Sequence, residues 1–296
     1  MRVLVTGASG HIGSAVVREL VRSGHDVVGL ARSERSAATV QALGAAPRLG
    51  DVDDPDALRD AVATVDGVIH LAFNNQALQA GNMQGAVTAD QAVVTTLGDA
   101  LAGTGKALVG VGMGSAGPES VREAVSANPR SAVADEVLGL VERDIRSVLV
   151  AIPPVVHSDL DRTGFVPTLI RIARATGVSG YVGDGANRWP AAHTLDVASL
   201  YALAVDKAPA GAQLVAATEE GIVVRDIAQA IGRHLGLPVA SIPADEAVSH
   251  FGPFASIMTL GLPPMSNAST RELLAWEPAH PGLLADLDEG HYFASH

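Results

Sequence analysis

The chain has 296 residues, 48% of them hydrophobic, with a formal net charge of −12 and no cysteine. Such a chain can bury a large core, and it has no disulfide, thiolate nucleophile or Cys-ligated metal. The acidic balance argues against nucleic acid or an anionic membrane surface as a partner, and no apolar run reaches the roughly 20 residues of a membrane helix. The first strand begins almost at residue 1, which leaves no room for a signal peptide, so we expect a soluble, cytoplasmic protein.

A glycine-rich turn follows the first predicted strand. Residues 3–5 are apolar and lead into TGASGHIG at 6–13, after which apolar residues recur at helical spacing. Three glycines at this spacing give a tight turn, allow a ligand to approach the backbone and let the helix pack on the strand. A second strand at 26–31 completes a βαβ unit, and the N–H groups at its helix start favour a phosphate. The predicted binding residues in this turn are Gly7, Ser9, Gly10, His11, Ile12 and Gly13.

The residue that ends the second strand indicates the choice of cofactor, because the 2′ position of the adenosine ribose lies beside it in this architecture. Here it is Arg32, followed by Ser33. A guanidinium and a hydroxyl suit the additional phosphate of NADP, whereas an acidic residue would bind a ribose hydroxyl. We therefore predict NADP(H) rather than NAD(H), with a solvated surface position as the alternative reading of Arg32.

Later apolar segments alternate with helical patterns. Strands are predicted at residues 67–72, 107–111 and 148–152, and helices at 91–102 and 131–146. The alternation predicts an α/β fold with a Rossmann-type, doubly wound parallel sheet. From residue 157 the sequence becomes richer in Pro, Gly and aromatic residues. We expect a dinucleotide-binding domain over 1–156, with a later strand near 212–217 rejoining its sheet, and a smaller C-terminal substrate lobe over 157–296.

Several motifs in order carry a family resemblance. They are the glycine turn, Arg32, GDVD at 50–53, VIHLA at 68–72, GYVGDG at 180–185, HTLDVA at 193–198 and LAWEP at 274–278. With them the chain resembles the extended or atypical short-chain dehydrogenase/reductases, the NAD-dependent epimerase/dehydratase-like group. The resemblance implies three sets of cofactor contacts: Asp51 and Val52 beside the adenine, Leu71, Ala72 and Phe73 along the ribose, and Pro154 and Val155 by the nicotinamide. For Asp51, a helix-entry cap is the alternative, since Asp53, Asp54 and Pro55 begin a helix.

The catalytic signature of that group is missing. Such enzymes use Ser or Thr after the fifth strand and a Tyr-x-x-x-Lys pair on the next helix, but none of the three tyrosines has Lys four residues on. Counting along the chain places Arg130 and Ala134 near the Tyr and Lys positions, and Met113 at the Ser position. Our candidate proton donors are therefore Ser115 and His157. An ordinary turn hydroxyl and a loop histidine bonded to backbone are the respective alternatives.

Candidates for the substrate pocket are Asn75, Met113, Tyr181 and Trp189. The aromatic residues cluster in the C-terminal lobe of a chain with only 3% aromatic residues, which favours either an apolar pocket or core packing. The histidines are scattered, without ligand spacing, so we predict no metal.

Three functions stay open. The first is an NADP(H)-dependent oxidoreductase that acts on a small or medium, partly apolar carbonyl or alcohol through a non-standard proton donor. The second is an epimerase or dehydratase-type lyase on the same fold. The third is a non-catalytic NADP(H)-binding sensor or partner module, which the missing Tyr and Lys favour. Apolar faces on the helices from Gln91 and Ser131 fit either a homodimer or burial within the monomer.

Overall fold

The computed structural model describes residues 1–74, 77, 81–112 and 128–294. Their Cα positions group into two compact units. The first unit comprises residues 1–152, 197–216 and 267–277, and the second comprises 153–196, 217–266 and the chain from Pro278 onward. The functional division at residue 156 stays a prediction.

The first unit contains a seven-stranded sheet in which every neighbouring pair is parallel. Its strands are β1 (Arg2–Thr6), β2 (Asp26–Ala31), β3 (Ala46–Leu49), β4 (Gly67–His70), β5 (Ala107–Gly112), β6 (Arg146–Ala151) and β10 (Ala212–Val215). The order β10-β6-β5-β4-β1-β2-β3 reverses direction between β1 and β4, as in a doubly wound sheet. The predicted fold class is confirmed.

Helices cover this sheet because their apolar positions recur at helical spacing. The helices are α1 (His11–Arg22), α2 (Glu34–Ala42), α3 (Pro55–Val62), α4 (Met83–Leu101), α5 (Ser131–Gly139), α7 (Thr194–Lys207) and α11 (Ala268–Leu274). Buried side chains of α3, α4 and α5 pack with Leu4, Val68 and Leu108 of the strands in one core cluster. Burying this apolar surface is the main source of the unit's stability.

Two helices differ from the sequence prediction. The helix predicted at 91–102 begins at Met83, because the Asn82 side chain accepts a hydrogen bond from the Gly85 N–H and caps an earlier start. The helix predicted at 131–146 ends at Gly139 and continues only as a 3₁₀ turn, Leu140–Arg143. Asp144 then takes a left-handed conformation that stops the helical path.

The chain returns to the first unit twice after residue 152. The strand expected near 212–217 is β10, which pairs in parallel with β6. The second return, at residues 267–277, carries α11 and has no clear sequence signal. There the buried Thr270 hydroxyl accepts a hydrogen bond of 2.7 Å from the Val215 N–H. This contact satisfies a backbone donor on the outermost strand of the sheet.

The second unit contains a three-stranded sheet in the order β11-β9-β7 and a separate pair, β12 with β8. The strands are β7 (Val155–His157), β8 (Ser179–Val182), β9 (Arg188–His193), β11 (Glu219–Val223) and β12 (Val239–Ile242). The helices are α6 (Phe165–Thr176), α8 (Val224–Leu235), α9 (Ala247–Phe251), α10 (Ala255–Met258) and α12 (Leu283–Asp288). The core of this unit surrounds the fully buried Trp189.

Candidate functional site

A cavity of about 320 Å³ lies in the first unit at the carboxyl ends of β1 to β4. This edge of a parallel sheet is where ligands bind in doubly wound folds. The predicted cofactor residues that line it are Gly7, Ser9, Gly10, Arg32, Asp51, Val52, Leu71, Ala72 and Phe73. Eight further lining residues were not predicted as cofactor contacts, although Asn74 had been considered for the substrate and Gly50 and Asp53 belong to the GDVD motif: Leu30, Ser36, Gly50, Asp53, Asn74, Ala89, Asp90 and Val93.

The glycine turn is built around contacts that no side chain would permit. Gly7 has φ +67, and a Cβ there would lie 2.8 Å from the Ala72 nitrogen. The Gly10 N–H donates to the Gly7 carbonyl oxygen at 3.0 Å. A Cβ on Gly13 would overlap that same carbonyl oxygen. Gly7 and Gly13 are therefore required by the backbone geometry of the turn, whereas a Cβ on Gly10 would lie 3.2 Å from the Gly7 carbonyl oxygen.

This turn fits a phosphate at the start of α1. The N-cap residue Gly10 offers no side-chain hydrogen bond, and the first turn of α1 holds no acidic residue. The helix dipole and the N–H groups of the first turn are therefore not neutralised by a nearby carboxylate. Of the predicted turn residues, His11, Ile12 and Gly13 belong to α1 itself.

Arg32 and Ser36 line the cavity where β2 ends, whereas the predicted Ser33 does not. Ser33 is the N-cap of α2, and its hydroxyl accepts a hydrogen bond from the Ser36 N–H at 3.2 Å. The Ser36 hydroxyl in turn accepts from the Ser33 N–H at 3.0 Å. Both hydroxyls belong to this cap, because the Ser36 hydroxyl also donates to the Ser33 carbonyl oxygen at 2.8 Å. Of the two residues, Ser36 is the one that lines the cavity with the exposed Arg32.

Asp51 lies in the cavity wall, and the cap of α3 is a different residue. Asp54 caps α3 by accepting hydrogen bonds from the N–H groups of Asp56 and Ala57, at 3.1 and 3.2 Å. Among the described residues, the Asp51 side chain accepts a hydrogen bond only from the Asp53 N–H, at 3.3 Å. The alternative that Asp51 is the helix cap is therefore wrong.

A buried hydrogen-bond chain lies at the end of β4. The Thr6 hydroxyl accepts from the N–H groups of Leu71 and Ala72, each at 3.2 Å, and lies 2.7 Å from Nδ1 of His70. Because both acceptor positions of Thr6 are in use, its proton goes to His70 Nδ1. His70 then carries its own proton on Nε2 and donates it to Asp90 Oδ1 at 3.0 Å. Thr6 has no exposed surface, so this chain orients Asp90 and is not a nucleophilic triad.

Arg130 lies near the same end of the cavity. Its Cζ is 4.2 Å from the ring centroid of Phe73, which is a cation–π contact with a cavity-lining residue. Burial lowers the pKa of Arg130, and the Asp90 carboxylate acts in the opposite direction. Tyr201 on α7 is close enough to be affected by the charge of Arg130, but burial dominates and raises the pKa of its phenol far above the ordinary value.

Three predicted residues, Asn75, Met113 and Ser115, lie outside the described residues. Their proposed roles stay predictions. Pro154 and Val155, predicted beside the nicotinamide, belong to the second unit.

His157 is fully buried in the second unit. Its Nδ1 lies 2.8 Å from Asp286 Oδ2, and His291 Nε2 lies 3.0 Å from Asp286 Oδ1. Burial raises the pKa of Asp286, but the hydrogen bonds from both histidines outweigh it and hold that pKa below the usual range. A side chain without exposed surface reaches a substrate only after rearrangement, so the structure adds no support for His157 as a proton donor.

His193 belongs to the same buried group. Its ring stacks on His280 at 4.7 Å between centroids and meets His157 edge-on at 5.4 Å. Burial, reinforced by the charge of His157, lowers the pKa of His193 to about 4. The neutral form is also favoured by a hydrogen bond, because His193 Nδ1 accepts from the Leu195 N–H at 3.2 Å.

Asp286, Glu289 and His291 place ligand-type atoms within 4.8 Å of one another. Both oxygens of Asp286 already accept hydrogen bonds from histidines, which accounts for this grouping without a metal. The absence of a metal stays a prediction.

The aromatic residues of the second unit pack mainly with one another. Trp189 has no exposed surface, contacts Phe165 and Phe254 edge-on and donates its indole N–H to the Leu260 carbonyl at 3.2 Å. Tyr181 is half-buried against the same core. Core packing, the alternative reading, describes Trp189 in this structure, and its role in a substrate pocket is not supported.

The fold and this cavity together define a Rossmann-type α/β protein with a glycine-rich turn at the start of α1. The model of the NAD dependent epimerase/dehydratase family matches residues 3–109. An uncharacterized protein of Schizosaccharomyces pombe, C2A9.02, is 39% identical over 300 residues, covering 99% of this chain and 100% of the yeast protein. The chain belongs to the NAD dependent epimerase/dehydratase family, a family of NAD(P)-dependent epimerase, dehydratase and reductase-type enzymes.

Two further likenesses are more limited. A 2-alkyl-3-oxoalkanoate reductase of Stenotrophomonas maltophilia is 43% identical over 70 residues, 24% of this chain and 21% of that protein. The crystal structure of UDP-glucuronic acid 4-epimerase from Bacillus cereus, in complex with UDP-glucuronic acid and NAD, has a TM-score of 0.76 at 18% identity, covering 99% of this chain and 98% of that chain. This second likeness concerns the fold alone. Among the described residues, no helix is both long and apolar enough to cross a membrane.

Proposed function

We propose that this protein is an NADP(H)-dependent oxidoreductase that transfers a hydride between the nicotinamide and a small or medium, partly apolar carbonyl or alcohol. The observation that carries the proposal is the cavity of about 320 Å³ that joins the glycine turn to Arg32. Family membership and the reductase named above support redox chemistry on a ketone. When bound, the dinucleotide supplies the hydride, and the chain binds and orients the reactants.

The residues present fit NADP(H) rather than NAD(H). Arg32 is exposed, lines the cavity and forms no ion pair with any described residue, so its charge is available to a ligand. Ser36 adds a hydroxyl at the same edge. The guanidinium provides charge-assisted hydrogen bonds to a phosphate, whereas the Ser36 hydroxyl already donates to the Ser33 carbonyl oxygen at 2.8 Å. No acidic side chain stands at the end of β2 to bind a free 2′-hydroxyl.

The test of the cofactor is a titration of the purified protein with NADPH and with NADH. We expect tighter binding of NADPH, and in Arg32→Asp a loss of at least about tenfold for NADPH with NADH unchanged or improved. Arg35→Asp is the matched control, because Arg35 is exposed on α2, carries the same charge and does not line the cavity. An equal loss of both nucleotides in Arg32→Asp, or an equal effect in Arg35→Asp, contradicts the preference.

The test of the reaction is a panel of carbonyl compounds followed at the nicotinamide absorbance, with Ser115→Ala and His157→Phe alongside. Turnover that collapses in one variant and persists in the other identifies the donor. Tight binding of NADPH without any turnover favours a non-catalytic binding protein. Conversion of substrate without a net absorbance change favours an epimerase or dehydratase.

A further inference from the structure

The guanidinium of Arg130 lies beside the cavity and has no hydrogen-bond acceptor among the described residues. It lies on the face of Phe73, a cavity-lining ring, and within the described part of the chain it donates no side-chain hydrogen bond. The side chain is half-buried, so few water molecules can hydrate its five N–H groups. A cation held in this way is suited to an oxygen-bearing ligand.

The other polar groups near Phe73 are occupied, inaccessible or uncharged. His70 uses both ring nitrogens, for Thr6 and for Asp90. Tyr201 has no exposed surface. The Asn74 side-chain oxygen accepts from the Ala77 N–H at 3.0 Å. Among the described residues at this end of the cavity, Arg130 is therefore the charged hydrogen-bond donor that can meet a reacting oxygen, and the Asn74 amide offers neutral N–H groups beside it.

We propose that the Arg130 guanidinium holds the reacting oxygen of the substrate, that Asp90 positions this guanidinium, and that the substrate presents two neighbouring oxygens, as in a 1,2- or 1,3-dicarbonyl or an oxo acid. The proposal rests on the proposed reductase function. A substrate with a single oxygen, such as a simple ketone, leaves half of the planar fork of N–H donors unused.

The step balances without a protein acid. Hydride transfer forms a C–H bond at the carbonyl carbon while a C–H bond of the reduced nicotinamide breaks, so the carbonyl is reduced and NADPH is oxidised to NADP⁺, and the electron pair of the C=O π bond moves onto the oxygen. Arg130 stabilises the resulting alkoxide with hydrogen bonds but keeps its own protons, because an arginine stays protonated at neutral pH. A proton from solvent then converts the alkoxide to the alcohol.

Asp90 is a positioning residue. His70 fixes Oδ1, and Oδ2 accepts no hydrogen bond from any described residue. The carboxylate favours the charged form of Arg130 against the effect of burial. Its orientation depends on the Thr6–His70 chain, which is anchored to the backbone N–H groups of Leu71 and Ala72. This rigid carboxylate lines the same cavity as Phe73, and its negative charge acts on the guanidinium that lies on that ring.

The experiment compares wild type with Arg130→Ala, Arg130→Lys and Asp90→Asn, using NADPH with a 3-oxo ester and with a simple ketone. We expect Arg130→Ala to lower kcat/KM at least about 100-fold, while the Kd for NADPH changes less than about threefold. Guanidinium chloride at tens of millimolar, well below denaturing concentrations, should raise the rate of Arg130→Ala at least tenfold, and sodium chloride at the same concentration should not. Arg59→Ala, which removes an exposed arginine paired with Asp56 in the same unit, is the control and should show neither loss nor rescue.

The lysine and asparagine variants separate position from charge. Arg130→Lys keeps the charge and loses the fork, so the 3-oxo ester should lose at least tenfold more kcat/KM than the simple ketone. Asp90→Asn keeps an acceptor for His70 and removes the charge, so we expect about a tenfold lower kcat with little change in KM.

The outcomes distinguish the two proposals. If wild type reduces no carbonyl, the reductase function fails, and the role of Arg130 fails with it. If wild type turns over and Arg130→Ala retains its kcat/KM, only the role of Arg130 is overturned. If Arg130→Ala also loses NADPH binding, the test is made with Arg130→Lys. If Arg130→Lys still binds NADPH and retains kcat/KM equally for the 3-oxo ester and the simple ketone, the proposal is overturned.

Discussion

The buried imidazole of His193 predicts how stability depends on pH. This ring is 7% exposed, and its pKa is lowered from 6.5 to about 4, first by burial and then by the charge of His157. His280 lowers this pKa further, whereas Asp286 and Asp196 raise it. The unfolded chain therefore binds a proton on residue 193 at a higher pH than the folded protein does. Stability must fall as pH drops from about 6.5 towards 4.

The size of the effect follows from the two pKa values. A difference of 2.5 units, 6.5 minus about 4, corresponds to about 3 kcal/mol if the whole window is crossed. At pH 5 the unfolded ring is almost fully protonated and the folded ring is roughly one-tenth protonated. The loss between pH 7.5 and pH 5 is then about 2 kcal/mol. Stopping at pH 5 keeps the titration of Asp286, which lies lower still, outside the window.

His193→Asn is the matched variant for this prediction. The asparagine side-chain oxygen can take the place of Nδ1 as acceptor for the Leu195 N–H, and asparagine does not titrate. The variant loses the stacking on His280 at every pH, so the pH dependence is compared rather than the absolute stability.

The assay is equilibrium unfolding in urea at pH 7.5, 6.5, 5.5 and 5.0. The chain has two tryptophans, and Trp276→Phe in both proteins leaves the buried Trp189 as reporter of the second unit. We expect the free energy of unfolding of the His193 protein to fall about 2 kcal/mol more than that of His193→Asn across this range. An equal fall in the two proteins would refute the reasoning that His193 is held neutral by burial.

Two further predictions test the glycine turn and a buried phenol. Gly13→Ala should lower the affinity for NADPH at least tenfold in a fluorescence titration, because its Cβ would overlap the Gly7 carbonyl oxygen. The control Gly139→Ala, with φ −62 and open space around it, should leave binding unchanged. Similar affinity in both variants would show that the turn tolerates a side chain. Tyr201→Phe should leave the free energy of unfolding unchanged or raise it by up to about 1 kcal/mol, since the Tyr201 hydroxyl is buried without a partner among the described residues. A loss above about 1 kcal/mol in urea unfolding would reveal a partner for this hydroxyl.

Local sequence was sufficient for several elements of the first unit and for half of its cavity. The predicted strand at 26–31 coincides with β2, and the predicted α1 begins at His11. Glycine spacing and strand ends identified Gly7, Gly10 and Arg32 because each acts through its own backbone position or its place at a strand end. The competing reading of Asp51 failed for an equally local reason, since Asp54 is closer to the start of α3 and takes the cap.

Only the tertiary structure decided which side chains meet. His70 is hydrogen-bonded to Asp90, 20 positions away in the sequence, and to Thr6, 64 positions away. His157 is hydrogen-bonded to Asp286, 129 positions away. No periodicity or spacing records such contacts, because they depend on how the sheet brings distant segments together. The same packing buried Trp189 and His157, placed Ser36 rather than Ser33 at the cavity and set Arg130 against Phe73. The sequence by itself determined where a dinucleotide turn forms, since that depends on neighbouring residues, and the fold determined which charges lie beside it.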